Sequence, residues 1–377
     1  MRPVHEVAHI INSVKPQLPG IISNTWKLRT LYALSRCRTA AMGGHIDRCD
    51  NPKCNRLHLS YNSCRNRHCP KCQGHQREEW IQNREAELLN VPYFHVVFTL
   101  PDHLNKLSLQ KPEVIYSLLF KTAWQTIKGF GENHTFLGAL TGMISVLHTW
   151  GSNLSLHPHL HCIVPAGGIS KYGKWKSTKS KGKYLFPVKA MGKVFRAKFL
   201  AGLNKAGLLE KTLHEKLTVK PWVFYAKRPF RGPQQVIEYL GRYTHKIAIS
   251  NHRIIRTSKD SISFMVKNYR KGGSKEICQL PKSEFIRRFS MHILPKNFVR
   301  IRHYGILSST GKKKHLITIR RQTGEVRLLV KRGPILAGFC PVCKKGKLVT
   351  IAIFQDRGPP GHLIRQLNQQ KKQCHRV

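Results

Sequence analysis

Leu156–Gly168 reads LHPHLHCIVPAGG, with His157, His159 and His161 at every second position and an apolar run behind them. A strand turns alternate residues to opposite faces. His159 and His161 therefore share one face, and Leu160 and Cys162 share the other. The alternation, closed by Pro165 and Gly167-Gly168, predicts a strand from Leu160 to Val164 with one face in a core. Two imidazoles at this spacing can ligate one divalent cation from one side, leaving positions open for a phosphate oxygen. His157 has the same parity, but Pro158 is expected to bend the chain beside it. Alone, the pair also reads as satisfied core or surface histidines.

Working outward, YFHVVFTLP predicts a strand from Phe94 to Leu100, and a further strand is expected over Met143 to Leu147. PEVIYSLLFKTAWQTIKGFG predicts a helix, as does the end of WKSTKSKGKYLFPVKAMGKVFRAKFL after a basic loop. PWVFYAK, IAISNHRI and SISFMVK read as strands. The segment NTWKLRTLYALSRCRTAAM near the start reads as helical. GPQQVIEYLGRYTHK reads as a helix with Pro233 at its first position, where a missing N–H is not needed.

The helix that begins at Pro233 supplies a candidate nucleophile. Tyr239 and Tyr243 are spaced i, i+4, so their hydroxyls emerge one turn apart on one face. A phenol with a pKa of about 10 attacks phosphorus poorly. A cation that polarises the phosphate eases the attack. Val236, Tyr239, Leu240 and Tyr243 also form the stripe of an ordinary core-facing helix. Arg242, His245 and Lys246 favour the catalytic reading, because a nucleophilic tyrosine needs a phosphate brought near.

The chain has 377 residues, with 66 Lys and Arg against 18 Asp and Glu, a net charge of +48. Charge of this size argues for a polyanionic partner, namely nucleic acid. No run of about 18 apolar residues is present, and the first residues lack the apolar run of a signal peptide. A cytoplasmic location and no membrane association are expected. Carboxylates are scarce between Asp102 and Glu210, where only Glu113 and Glu132 occur, so a two-metal carboxylate site lacks ligands.

Six of the 11 cysteines lie between Cys37 and Cys72, a metal-binding rather than a disulfide pattern in a reducing compartment. Cys49 with Cys54, and Cys69 with Cys72, make two close pairs that can surround one Zn²⁺. Cys37, Cys64, His58 and His68 remain as candidates for further zinc ligation. Arg65, Arg67 and Lys71, set among the ligands, are expected to contact phosphate. Arg300 and Arg302 are expected in a DNA channel. Cys340 and Cys343 form a lone C-x-x-C that could make a zinc knuckle with Cys374 or His375. Trp175 reads either as a base-stacking ring or as a partial core residue.

YNSCRNRHCPKCQ, FHVVFTLP, LHPHLHCIVPAGG, YAKRPF, YLGRYTHKIAISNHRI and EFIRRFSMHILPKNFVRIRHYGIL are spread along the chain from Tyr61 to Leu307. In these strings it resembles the insertion-sequence-91 family of rolling-circle transposases, two-tyrosine HUH endonucleases with an N-terminal zinc-binding domain. The resemblance implies an α+β fold with an HUH-type, ferredoxin-like antiparallel sheet. It implies a helical zinc-binding domain over 1–90, a nuclease domain over 91–305 and a basic C-terminal extension over 306–377. It further implies nicking of single-stranded DNA at element ends, a 5′-phosphotyrosine on Tyr239 or Tyr243, and strand transfer to target DNA. His159 and His161 would hold Mg²⁺ or Mn²⁺, with a third ligand among His157, Asn153, His95 and His245. Zn²⁺ would be structural. A replication initiator or relaxase would share this chemistry, and a non-catalytic zinc-dependent nucleic-acid-binding protein would explain the charge and cysteines alone.

Overall fold

The computed structural model describes residues 3–72, 81, 87–179, 185–226, 230, 235–236, 239, 241, 246–268, 271–325 and 338–374. The fold is α+β, with antiparallel sheets throughout. Thirteen strands are named in chain order: β1 Gly44–Cys49, β2 Leu57–Tyr61, β3 Tyr93–Thr99, β4 Gly142–Trp150, β5 Leu156–Pro165, β6 Gly167–Ile169, β7 Trp175–Ser177, β8 Phe224–Ala226, β9 Ile254–Thr257, β10 Ser261–Asn268, β11 Ser274–Pro281, β12 Ile301–Gly305 and β13 Leu348–Phe354.

The central sheet has five strands in the order β12-β4-β5-β3-β8. Its middle strand, β5, carries the histidine motif and is flanked by β4 and β3. One face is thoroughly apolar. Phe94, Val96 and Phe98 of β3, Met143 and Leu147 of β4, and Leu160, Cys162 and Val164 of β5 are buried there. The helix Pro112–Glu132 brings Ile115, Leu119, Phe120 and Ile127 against that face. The helix Val188–Lys205 brings Met191, Phe195, Phe199 and Leu203. Both sets recur at helical spacing, so each helix buries one stripe and exposes its lysines. Pro112 stands at the start of the first helix, as its missing N–H allows.

β5 is longer than the sequence predicts and continues through Pro158. The proline carbonyl accepts a hydrogen bond from Leu100 N at 3.0 Å. The β4–β5 register slips between His148 and Trp150, so the residue that cannot donate lies beside a bulge. Beyond Pro165 the chain turns into β6, where a Cβ on Gly167 would lie 2.4 Å from the Trp175 ring. Trp175 is thus a packing residue of β7, half-buried over that glycine.

A second core joins distant parts of the chain. The helices Val7–Ser13 and Thr25–Arg36 pack with Cys37, Cys69 and Cys72 against Ile262 and Phe264 of β10 and against Phe285 and Phe289 of the helix Lys282–Met291. Ala248 and Ile249 enter this core from an irregular segment, and Asn251 Oδ1 accepts a hydrogen bond from Val7 N at 3.0 Å. That corrects the expected strand over IAISNHRI: only from Ile254 does it become β9.

The C-terminal part is built into the N-terminal one. β13 pairs with β1, and β1 with β2, in a three-stranded sheet. A small core of Ile46, Leu57, Phe354, Leu363 and Leu367 lies beneath, covered by the helix Gly361–Cys374. No helix among the described residues is long and apolar enough to cross a membrane.

Candidate active site

The face of the central sheet opposite the large core holds the chemistry. In the observed register His148 stands directly across from His159, and His161 across from Val97. Strand parity then puts His95 on β3, His148 on β4, and His159 and His161 on β5 on one face. The ligand atoms of His148, His159 and His161 all lie within 4.8 Å of one another. His159 Nε2 and His161 Nε2 are 3.1 Å apart.

The local bonding prepares these rings to coordinate. His159 Nδ1 lies 2.6 Å from the His157 carbonyl, which leaves the Nε2 lone pair pointing outward. Burial holds the His159 imidazole down at about 4, against the opposing pull of the His157 carbonyl. Burial, then the His148, His159, His95 and Lys246 groups, push His161 well below its ordinary range. Both rings are neutral at pH 7, the state a metal needs. The donor set therefore fits a divalent cation.

Tyr239 completes the cluster. It lies at a helical position, and its hydroxyl hydrogen-bonds His95 Nε2 and lies 3.1 Å from His161 Nδ1. His95 Nε2 is itself 3.0 Å from His161 Nδ1. Val236 and the Tyr239 ring pack with Phe230, Ile144 and Ile163 on this face, so at these two positions packing and delivery of the hydroxyl go together.

The His157 carbonyl meets His159 Nδ1 and the His157 ring stands 5.2 Å from the His159 ring, but the converging group is His148, His159 and His161. Asn153 is taken up in a turn, with Oδ1 accepting from Ser155 N at 3.1 Å. His148, absent from the sequence candidates, is the third member of the converging group. It lies one residue beyond the predicted strand end, and its parity with Ile144 and Val146 was the available signal. Tyr243, Arg242 and His245 lie outside the described residues.

Several expected phosphate contacts are occupied within the protein. Arg67 donates to the Phe298 carbonyl and, at 2.7 Å, to the Pro295 carbonyl. Lys71 pairs with Glu6 at 2.6 Å. Arg300 is buried and donates to the Lys246 carbonyl at 3.2 Å. Arg302 lies over the Phe120 ring at 4.3 Å. Arg65 and Lys246 are exposed. Lys246 is close enough that its charge lowers both catalytic-face imidazoles.

The cysteines form two four-sulfur groups, not the single group expected from Cys49, Cys54, Cys69 and Cys72. Cys37, Cys64, Cys69 and Cys72 converge in one, and Cys49, Cys54, Cys340 and Cys343 in the other. The reason is topological: the β1–β2 hairpin carries Cys49 and Cys54 away from the Cys69-Cys72 turn and towards the C-terminal strand. Cys340 and Cys343 thus join an N-terminal pair rather than making a knuckle within the tail. Cys37 Sγ is 3.5 Å and Cys64 Sγ 3.7 Å from Cys72 Sγ. Four sulfurs around zinc at about 2.3 Å stand about 3.8 Å apart, so this group fits a structural ion. His68 is not a ligand: it is buried, and its Nε2 accepts from Leu294 N at 3.3 Å.

An antiparallel sheet presenting three convergent histidines to a tyrosine, beside a four-cysteine group, is the equipment of a DNA-processing enzyme, and comparison with known proteins makes it a transposase. Residues 142–314 match the family described as "Putative transposase", and residues 15–100 match the transposase zinc-binding domain. The chain is 39% identical to "Putative transposase y4qJ" of Sinorhizobium fredii, over 89% of this chain and 92% of that protein. It is 26% identical to the "Transposase for insertion sequence element IS801" of Pseudomonas savastanoi pv. phaseolicola, over 75% of this chain and 70% of that protein. The chain belongs to the insertion-sequence-91 family of transposases. No solved structure matches it.

Proposed function

We propose that this transposase nicks single-stranded DNA at its element ends by attack of the Tyr239 hydroxyl on a phosphodiester. The observation that carries the reading is the contact of Tyr239 Oη with His95 Nε2 and His161 Nδ1 on the face where His148, His159 and His161 converge. Those three histidines would hold Mg²⁺ or Mn²⁺, which when bound withdraws charge from a phosphate oxygen and stabilises the charge developing in transfer. His95 Nε2 accepts the phenolic proton as the Tyr239 oxygen–phosphorus bond forms. The phosphorus–O3′ bond breaks, and the leaving oxygen takes a proton to become a free 3′ hydroxyl. The product is a 5′-phosphotyrosine, so a target 3′ hydroxyl can reverse the step without ATP. Tyr243, four residues further on in the sequence, serves as the second nucleophile. Lys246 and Arg65 contact backbone phosphate. The site of action is the bacterial cytoplasm, where the DNA is.

Incubation with a single-stranded element-end oligonucleotide and Mg²⁺ or Mn²⁺, followed by a denaturing gel, tests this. A covalent protein–DNA band is expected, reduced in Tyr239→Phe and absent when Tyr243→Phe is added. Persistent attachment or nicking by the double variant refutes the tyrosine assignment.

A further inference from the structure

We infer that Cys49, Cys54, Cys340 and Cys343 bind a second zinc ion, which fastens the C-terminal segment 338–374 onto the N-terminal hairpin. The zinc-binding match covers residues 15–100, and within it only Cys37, Cys64, Cys69 and Cys72 form a complete set among the described residues. Cys49 and Cys54 are half of a site there. Their other two ligands lie beyond both matched ranges.

The geometry suits zinc, and all four cysteines are free thiols. Cys49 Sγ is 3.6 Å from Cys343 Sγ, and Cys54 Sγ is 3.8 Å from Cys340 Sγ. Tetrahedral zinc thiolates require an edge of about 3.8 Å, whereas a disulfide requires about 2.05 Å. The surroundings are shaped for thiolates. Gly346 N donates to Cys343 Sγ at 3.4 Å, and His58 Nε2 lies 3.4 Å from Cys340 Sγ. His58 therefore acts from outside the sulfur cage rather than as a ligand. Asn55 and Lys344 both adopt positive φ, 43° and 57°, curling the turn after each cysteine pair back on itself. A Cβ on Gly346 would lie 2.5 Å from Cys49 Sγ, so any larger residue there must push the two loops apart at the sulfurs.

The surrounding core is too small to hold this unit by itself. It consists of five buried apolar residues. Backbone bonds add to it: Lys347 N donates to Asp50 Oδ1 at 2.7 Å, and Asp50 N to the Lys347 carbonyl at 3.0 Å. A unit of this size commonly depends on its metal for folding.

The test uses the full-length protein purified without chelator. Elemental analysis should find two zinc ions per chain, one for each four-cysteine group. Cys340→Ser with Cys343→Ser should retain one, and trypsin should then release the C-terminal segment at least about tenfold faster. Gly346→Ala should keep the fold yet surrender one zinc to a competing chelator about tenfold more readily. If the serine variant does not fold, alkylation of the wild-type protein decides. Cys49, Cys54, Cys340 and Cys343 should become reactive together on zinc removal. One zinc in the wild type, two retained in the serine variant, or a disulfide among these four cysteines overturns the inference.

Discussion

Replacing Arg67 by methionine should weaken the fold and leave DNA affinity nearly unchanged. The guanidinium sits among zinc ligands in a chain of net charge +48, which makes it look like a phosphate contact. Its donors instead hold the carbonyls of Pro295 and Phe298, in the turn that leads into the edge strand β12. The same turn is gripped by Trp26 Nε1, which donates to the Leu294 carbonyl at 3.0 Å. Burial lowers the Arg67 pKa without removing its charge. Each hydrogen bond from a charged donor contributes roughly 1.5–3 kcal/mol, and methionine preserves much of the stem packing. Two such bonds set a loss of about 3–6 kcal/mol, at the lower end where water reaches the freed carbonyls. Urea titration followed by circular dichroism should show the destabilisation. Single-strand binding measured across salt concentrations should show an unchanged slope. A phosphate contact would instead lower that slope by about 0.7 per charge lost. A slope reduced by that amount with stability intact would refute the packing role.

Further predictions separate the groups on the catalytic face. His148→Ala should raise the Mg²⁺ or Mn²⁺ concentration needed for nicking. His95→Ala should leave that requirement alone and slow adduct formation by about 10²–10⁴, the usual range for a lost general base. Metal titrations of the nicking rate read both, and a shared response would merge the two roles. Leu160→Ala, at a fully buried position between His159 and His161 on β5, should cost about 2.7–5 kcal/mol in chemical denaturation. A loss below about 1 kcal/mol would mean that this face is not the packed one. Arg287 and Arg288 hold the Glu284 carboxyl at about 2, below its ordinary 4.5. A depressed carboxylate stabilises above its unfolded pKa, so that contribution should be full above about pH 5 and fade towards about pH 2. Glu284→Gln should flatten the acid limb of the stability profile in that window, and an unaltered limb would exclude the pair.

What could be read before folding was whatever depends on neighbours in sequence. The period of two in LHPHLHCIVP exposed β5 and the shared face of His159 and His161. Pro112 and the apolar spacing after it exposed the long helix against the sheet. The charge directed attention to nucleic acid. What could not be read was pairing across long separations. His148 becomes a ligand candidate only when β4 registers against β5, and no local pattern states that register. Spacing joins Cys49 and Cys54 to the other close pair, Cys69 and Cys72, whereas strand pairing carries them to Cys340 and Cys343. Arg67, Lys71 and Arg300 were assigned by charge, yet their partners are backbone carbonyls and one glutamate that only the assembled chain brings within reach. The two-tyrosine segment is ambiguous between packing and chemistry in sequence, and in the fold the Tyr239 ring packs against the core while its hydroxyl reaches the histidines.

The pairing of β1 with β13 also bears on biosynthesis. Cys49 and Cys343 are separated by 294 positions in the chain. At roughly 5–20 residues per second, the ribosome takes about 15–60 s to deliver the second after the first. Throughout that interval the nascent hairpin shows an open strand edge and two bare thiols, a surface suited to chaperones or proteases. A message cut short before codon 340 would yield a protein in which that edge is never covered. The edge of the hairpin is thus covered only by a strand made about 300 residues later, and a chain lacking β13 would leave that edge unpaired.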